Sequence, residues 1–366
     1  MTPTPCGART PDHGPDRVGV LRTCVLVGAV LAATPVLAQD AAAPPAIEGT
    51  LQPSGDSTPT LASVFEAGPP NVPEGEEATA DLAYGAFQRG WFLTALALAT
   101  PLAEQGDQAA QTLVGVLHET GRGIKTDLSK AADWYALAAA QGNAEAAFRL
   151  GQFHLVGTGV EEDKAKAADY FELAAQSGNP SALYNLALLY QSGEGRPYDE
   201  EKARNFLREA AQNNDPEAQY VLGLSYLEGQ GELLDPGQGA FWLGRAARRG
   251  HISAQVYYGI LRFQGRGLDP DEEEAADWFE RAAAAGNPVA MNRLARIYAN
   301  GRGRTMDPVQ ATAWHYVARA LGVADPMLDQ FANRLDSDTL VQAREQAERH
   351  TATIMAPEDD RFRPIP

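Results

Sequence analysis

Residues 265–287 read GRGLDPDEEEAADWFERAAAAGN, and residues 121–143 read GRGIKTDLSKAADWYALAAAQGN. Both stretches open with a Gly-x-Gly turn, continue through an aspartate into an alanine-rich segment that contains a tryptophan, and close on Gly-Asn. They are separated by a whole number of 36-residue steps. A shared pattern at a fixed period predicts internal repeats, in which each unit is one small supersecondary structure.

The Gly-x-Gly turn occurs six times with a step of 36 residues and no insertion or deletion. Glycine adopts a left-handed backbone at low cost, so this turn is typical of a helix end. No strand precedes any of the six turns, and no Lys-Ser or Lys-Thr follows at P-loop spacing, which favours turns over phosphate-binding loops. The first glycines of the six turns are Gly121, Gly157, Gly193, Gly229, Gly265 and Gly301.

Three further columns keep the same step. An aspartate just before a helix can accept hydrogen bonds from free backbone N–H groups and meets the positive end of the helix dipole. The alanine column comprises Ala110, Ala146, Ala182, Ala218, Ala254 and Ala290, and the aspartate column comprises Asp127, Asp163, Asp199, Asp235, Asp271 and Asp307. The aromatic column comprises Trp134, Tyr170, Phe206, Trp242, Trp278 and Trp314. Each unit is therefore predicted to be a helix, a glycine turn, a second helix and a short loop. One such pair cannot bury both of its faces, so the pairs are expected to stack into an all-α solenoid.

These columns together resemble the Sel-one-like repeat, a relative of the tetratricopeptide repeat. The resemblance covers residues 109–322 as six repeats, and its departures, such as Asn214 at a closing glycine position, are local. It implies a right-handed α/α superhelix of helix-turn-helix units whose first helices line a concave groove. It also implies an adaptor role, because relatives hold envelope assemblies together or restrain signalling proteins.

The N-terminal segment has the three parts of a secretory signal peptide. Arginines precede an apolar run at 24–34, and Val36-Leu37-Ala38 supplies small residues at a cleavage site. The apolar run is short for a bilayer span, which disfavours the alternative of an uncleaved anchor. We expect a signal peptide at 1–38, a mature protein that begins at Gln39, no stable membrane span in that form, and a periplasmic location.

The remaining segments flank the repeats. Residues 39–80 are rich in proline and polar residues, so they are predicted to be a disordered linker. Residues 81–108 repeat part of the pattern one step before the first turn and are interpreted as a degenerate capping repeat. Residues 323–355 are predicted to form C-terminal capping helices, which repeat proteins need. Residues 356–366 are predicted to be a disordered tail.

Composition and motifs argue against several chemistries. Cys6 and Cys24 both lie within 1–38, so the mature chain is expected to lack thiols, disulfides and cysteine–metal sites. His118 and His154 lie one repeat apart in a column that holds tyrosine in three repeats and Arg262 in one, which favours packing over a two-histidine metal site. No cofactor, metal or enzymatic activity is predicted. The net charge of −18 disfavours nucleic acid and permits a basic partner, although acidity can also serve solubility alone.

A candidate binding stripe remains on the first helices once the core columns are set aside. Four residues after the alanine column, the first helix carries a leucine in most repeats. The stripe residues lie one before or two after that position, or just before the turn, and face away from the core on a helical wheel. The stripe comprises Arg149, Gln152, Asn185, Tyr257, Gln264, Arg293, Arg296 and Asn300. We predict a monomeric scaffold that binds a protein or peptide along this stripe; the alternative for the stripe is an ordinary solvated face. The alternative function is an envelope protein that binds or hydrolyses peptidoglycan or exopolysaccharide.

Overall fold

A computed structural model describes residues 79–355 of the chain. Within this range the structure is all-helical, with sixteen helices and no strand. The helices are α1 Ala80–Gln88, α2 Phe92–Glu104, α3 Gln108–Thr120, α4 Leu128–Ala140, α5 Ala144–Val156, α6 Lys164–Ala175, α7 Pro180–Ser192, α8 Glu200–Gln212, α9 Pro216–Glu228, α10 Pro236–Arg248, α11 Ile252–Gln264, α12 Glu272–Ala284, α13 Pro288–Asn300, α14 Pro308–Ala320, α15 Pro326–Ala332 and α16 Ser337–Met355. The predicted signal peptide, the predicted tail and nearly all of the predicted linker lie outside the described residues.

Helices α3 to α14 form six tandem pairs, here called repeats 1 to 6, each with a first and a second helix. Repeat 2 shows the local rules. Its first helix, α5, ends at Gly157, which has a left-handed backbone with φ of 73°. Its second helix, α6, begins after Asp163, whose carboxylate accepts from the backbone N–H of Lys166 at 3.0 Å. All six aspartates of the predicted column cap the second helix in this way, so the capping prediction is confirmed.

Within a repeat, a glycine on the first helix admits a large side chain from the second. A Cβ atom at Gly151 would lie 2.7 Å from the ring of Phe171, and one at Gly115 would lie 2.5 Å from the ring of Tyr135. Phe171 and Tyr135 are fully buried. In these two repeats the helices can pack this closely because Gly151 and Gly115 have no side chain.

The side chains of the aromatic column differ in burial from repeat to repeat, and Trp242 and Trp278 are buried. Trp134 and Tyr170 are only half-buried, whereas their neighbours Tyr135 and Phe171 have no exposed surface. Adjacent helical positions differ by about 100° in direction, so only one of two neighbouring aromatics can face the glycine. The other lies at the side of the second helix.

Successive repeats are joined by shared apolar clusters and by the turns. The rings of Tyr135 in repeat 1 and Phe153 in repeat 2 meet edge to face, with centroids 5.8 Å apart. The second glycine of a Gly-x-Gly turn packs on the start of the preceding second helix: a Cβ atom at Gly195 would lie 2.3 Å from the carbonyl oxygen of Lys164. This glycine therefore serves the stacking of repeats as well as the turn.

Helices α1 and α2 precede repeat 1, and helices α15 and α16 follow repeat 6. At the N-terminal side, Ala83 and Leu98 share one core cluster with Leu113 of α3. At the C-terminal side, α16 packs on α14, where the ring of His350 stacks on Trp314 with centroids 3.7 Å apart. The apolar ends of the repeat stack are thus covered by additional helices.

A candidate partner-binding face on the first helices

The eight predicted stripe residues lie on four first helices, α5, α7, α11 and α13. Five of them are exposed: Gln152, Tyr257, Gln264, Arg293 and Asn300. The other three, Arg149, Asn185 and Arg296, are half-buried. The structure gathers Gln264, Arg293, Arg296 and Asn300 around one pocket, and the remaining four lie outside it.

This pocket lies between α11, α12 and α13 and has a volume of about 200 Å³. Its apolar lining comprises Ile260, Phe263, Phe279 and Ile297, and its polar lining comprises Gln264, Arg293, Arg296, Asn300 and Arg302. The lining residues include no carboxylate. The pocket therefore combines an apolar surface with a cationic rim, which is unusual on a chain of net charge −18.

Arg296 is committed to a structural contact. Its Nε lies 2.7 Å from Oδ2 of Asp325, which is 3% exposed and caps α15. Asn292 donates to the same oxygen at 2.9 Å. Burial alone raises the pKa of Asp325, but the hydrogen bonds from Arg296 and Asn292 outweigh it, so the pKa of this carboxyl lies below its ordinary value. Arg296 thus holds α15 against α13 and is not a freely available cation.

The other two arginines of the pocket differ from each other. Arg302 forms an ion pair with Glu272, and its guanidinium lies 4.4 Å from the centre of the Phe263 ring. Arg293 is exposed, and no residue between 79 and 355 forms a hydrogen bond or ion pair with its side chain. Arg293 is therefore the unpaired cation among the residues that line the pocket.

The N-terminal members of the stripe are also engaged within the protein. Arg149 donates from Nε to Glu145 at 2.8 Å and from Nη1 to Glu119 at 3.3 Å, which links α5 to α3. The amide of Asn185 donates to the carbonyl of Ser181 in its own helix at 2.7 Å. These two side chains stabilise the first helices, and their exposed neighbour Gln152 is the freer group at this end.

The prediction from sequence missed an apolar row in the middle of the first-helix face. The position of Gln152 is held by Leu188, Leu224 and Ile260 in the next three repeats, and all three are half-buried, so each keeps part of its surface exposed. Beside this row, the rings of Tyr220 and Tyr257 lie 5.9 Å apart and join α9 to α11. Reading this one column through all repeats reveals the row, because the fixed period places its members on successive first helices.

The histidines have structural surroundings. The ring of His154 stacks on that of Tyr170, with centroids 5.6 Å apart. His118 is partly buried, and this burial lowers the pKa of its side chain. His251 accepts from the backbone N–H of Ala254 at 3.0 Å and so caps α11. Across the described range, no three or more His, Cys, Asp or Glu side chains cluster as a metal site would require.

Among the helices described, none is both long and apolar enough to cross a membrane.

Comparison with known proteins identifies the repeats. The family model of the Sel1 repeat matches residues 108–143, 144–179, 180–215, 216–251, 252–287 and 288–323, which make up more than half of the chain. No curated protein matched the chain.

Two solved structures are similar in sequence and fold. One is a protective antigen present in uropathogenic Escherichia coli strains, which displays an SLR fold; it is 28% identical with a TM-score of 0.64, over 76% of this chain and 61% of that one. The chain thus spans less than two thirds of the antigen's length. The other is a Sel1 repeat protein from Oxalobacter formigenes, 30% identical with a TM-score of 0.60, over 66% of this chain and 100% of that one.

These matches confirm two predictions from the sequence: the resemblance to the Sel-one-like repeat and the α/α solenoid fold. Proteins with these repeats are generally protein-interaction scaffolds, and their solenoid is typically non-catalytic. The chain belongs to the Sel1 repeat family.

Proposed function

We propose that this protein is a periplasmic scaffold that binds an extended segment of a partner protein along the first-helix face. The observation that carries the proposal is the partly exposed apolar row of Leu188, Leu224 and Ile260, flanked by the Tyr220–Tyr257 contact. Contiguous apolar surface on a soluble protein is typical of an interaction site. Aromatic and arginine side chains are enriched in such sites, and both border this row.

The order of residues along the face fits an extended ligand. The centre is apolar, with Gln152 exposed at one end and the arginine-lined pocket around Arg293 at the other. Solenoids present surfaces of this kind, since each repeat adds one step to a continuous strip. We include the exposed stripe residues Tyr257, Gln264 and Asn300 in the contact surface, and we assign Arg149, Asn185 and Arg296 to the support of that surface.

The charge of the chain bears on the class of partner. A net charge of −18 opposes nucleic acid and anionic membrane surfaces, so a protein or peptide is the favoured partner. The acidic surface away from the pocket permits a basic region in that partner. The protein is proposed to act as a monomer.

The proposed location rests on the predicted signal peptide at 1–38. Sel1 repeat proteins of bacteria are often periplasmic or secreted, which agrees with this proposal. A peptidoglycan- or exopolysaccharide-hydrolysing role is disfavoured at the pocket, because glycoside hydrolysis requires a pair of carboxyl groups and the pocket lining contains none.

The experiment that tests the function is site-specific photo-crosslinking in cells, followed by mass spectrometry. A photoreactive residue at Leu224, in the apolar row, is compared with one at Glu209, which is exposed on the second helix α8. Covalent capture of one defined protein from position 224 but not from 209 supports the proposal. Equal capture from both positions, or capture from 209 alone, would contradict it.

A further inference from the structure

We propose that the pocket between α11 and α13 takes an apolar side chain flanked by a carboxylate side chain of the partner segment, with Arg293 binding the carboxylate. This inference rests on the proposed function and adds the chemical class of the segment and its position along the face. The occupant is an internal acidic–apolar stretch of a protein chain.

The size and lining of the pocket favour a side chain over a small-molecule ligand. Pockets for small organic ligands and cofactors hold roughly 300–1,000 Å³, whereas this one holds about 200 Å³. Its apolar surface is formed by Ile260, Phe263, Phe279 and Ile297. Burial of one aliphatic or aromatic side chain here removes apolar surface from water on both partners, which is favourable.

The charge at the rim determines what flanks that side chain. Arg296 is neutralised by Asp325 and Arg302 by Glu272, so these two ion pairs leave Arg293 as the uncompensated charge. A guanidinium presents donors in a planar fork that matches a carboxylate. The side-chain amide of Gln264 makes no hydrogen bond within the described residues, and it lines the same pocket, so it is available to the backbone of the bound segment.

Because the rest of the chain is acidic, the contact with Arg293 fixes the position of the bound segment along the first-helix face. An acidic residue of the ligand is repelled over most of a surface with net charge −18, and it is attracted at Arg293. If the segment bound one or more residues out of this position, its carboxylate would lie away from Arg293 and would lose its contact with water without gaining an ion pair. The uncompensated charge of Arg293 also repels a lysine or arginine side chain, so the basic region permitted elsewhere on the partner is not expected at this pocket.

The test uses short random peptides displayed as internal inserts, so that neither peptide end is free, and three forms of the protein. These are the wild type, R293E and the matched control R248E. Arg248 is also exposed and also lacks a hydrogen bond or ion pair within residues 79–355, but it lies on the second helix α10. Arg293 is preferred to Arg296 for this test because substitution of Arg296 also breaks the contact with Asp325.

We expect the wild type and R248E to enrich peptides in which Asp or Glu adjoins Leu, Ile or Phe, and R293E to lose the acidic preference. Replacing the glutamate of the strongest peptide by glutamine is expected to weaken binding to the wild type by about tenfold, since hydrogen bonds to charged groups are worth about that much. The same replacement is expected to strengthen binding to R293E, because it removes the repulsion between two carboxylates.

Two different failures are distinguishable. If the wild type enriches peptides that lack acidic residues, or if R293E enriches the same acidic peptides, this inference is wrong and the proposed function stands. If the wild type enriches no peptide over an uncoated surface, the first-helix face does not bind extended segments, and both the inference and the proposed function are contradicted.

Discussion

Arg208 on α8 pairs with Glu232 in the turn of the next repeat, with Nη2 2.7 Å from Oε1. One repeat earlier, the same two positions hold Glu172 and Arg196, which pair at 2.9 Å with their charges exchanged. Between repeats 5 and 6 the equivalent pair is Glu280 and Arg304, with the same polarity as Glu172 and Arg196. After repeats 1 and 4, the two positions hold Ala136 with Val160 and Gly244 with Leu268. Neighbouring junctions therefore carry different pairs, which disfavours stacking that is shifted by one repeat.

The exchanged ion pair is expected to behave as a unit. The R208E substitution places a second acid beside Glu232, whose side chain is largely buried, and we expect a loss of about 1–2 kcal/mol in the free energy of unfolding. The double variant R208E/E232R restores the polarity of the preceding junction and is expected to recover most of this loss. Urea denaturation of a double-mutant cycle measures the coupling. Additive losses in the double variant would show that the pair does not act as a unit.

The close approach at Gly151 is expected to be sensitive to a single methyl group. G151A places a Cβ atom 2.7 Å from the Phe171 ring and is expected to cost about 1–3 kcal/mol by overpacking. In repeat 3 the equivalent positions hold Ala187 and Leu207. The double variant G151A/F171L copies that combination, so its melting temperature should lie above that of G151A. A double variant less stable than G151A would contradict this account of the packing.

The periodic features could be predicted from the sequence because they depend on neighbouring residues. Glycine at a helix end and aspartate before a helix act within one turn of the chain, so the helices, turns and caps followed from the 36-residue step. Contacts between helices could not be predicted in the same way. The ion pair of Arg296 with Asp325 joins two helices, and the choice of Tyr135 over Trp134 for the core depends on the direction in which α4 faces α3.

The C-terminal helix is expected to be sensitive to mild acid. Burial, with the nearby charge of Arg349, lowers the pKa of His350 to about 4. In the unfolded chain His350 takes up a proton near pH 6.5, the ordinary pKa of histidine. In the folded chain it takes up this proton only near pH 4. The stabilising contribution of neutral His350 is therefore complete above about pH 6.5 and declines as the pH falls towards 4.

We expect H350F, which keeps a ring against Trp314 but does not titrate, to lose less stability than the wild type between pH 7 and pH 5. Thermal unfolding followed by circular dichroism at each pH gives the two profiles. Because the other titrating groups, including His118, are the same in both proteins, the difference between the profiles reports His350. Parallel profiles would show that this histidine does not control the docking of α16.

Export is expected to remove residues 1–38, so the mature protein should begin at Gln39. The expectation follows from the basic start, the apolar run and the small residues of Val36-Leu37-Ala38. The intact mass of protein recovered from the periplasmic fraction measures the cleavage site. A mass that still includes Cys24, with or without an acyl group, would rule out this processing.

If the apolar row of the first-helix face binds the partner, truncation of a leucine in the row weakens binding and truncation of an exposed leucine elsewhere does not. Leu224 lies in the row, and Leu137 is 51% exposed on the second helix α4. The affinity of each variant for the partner captured by crosslinking is measured by calorimetry, with circular dichroism as the folding control. We predict that L224A weakens binding by about tenfold, as truncation of a central apolar contact does, and that L137A leaves the affinity unchanged. Unchanged affinity in L224A, or an equal loss in L137A, would show that the partner does not bind at the apolar row.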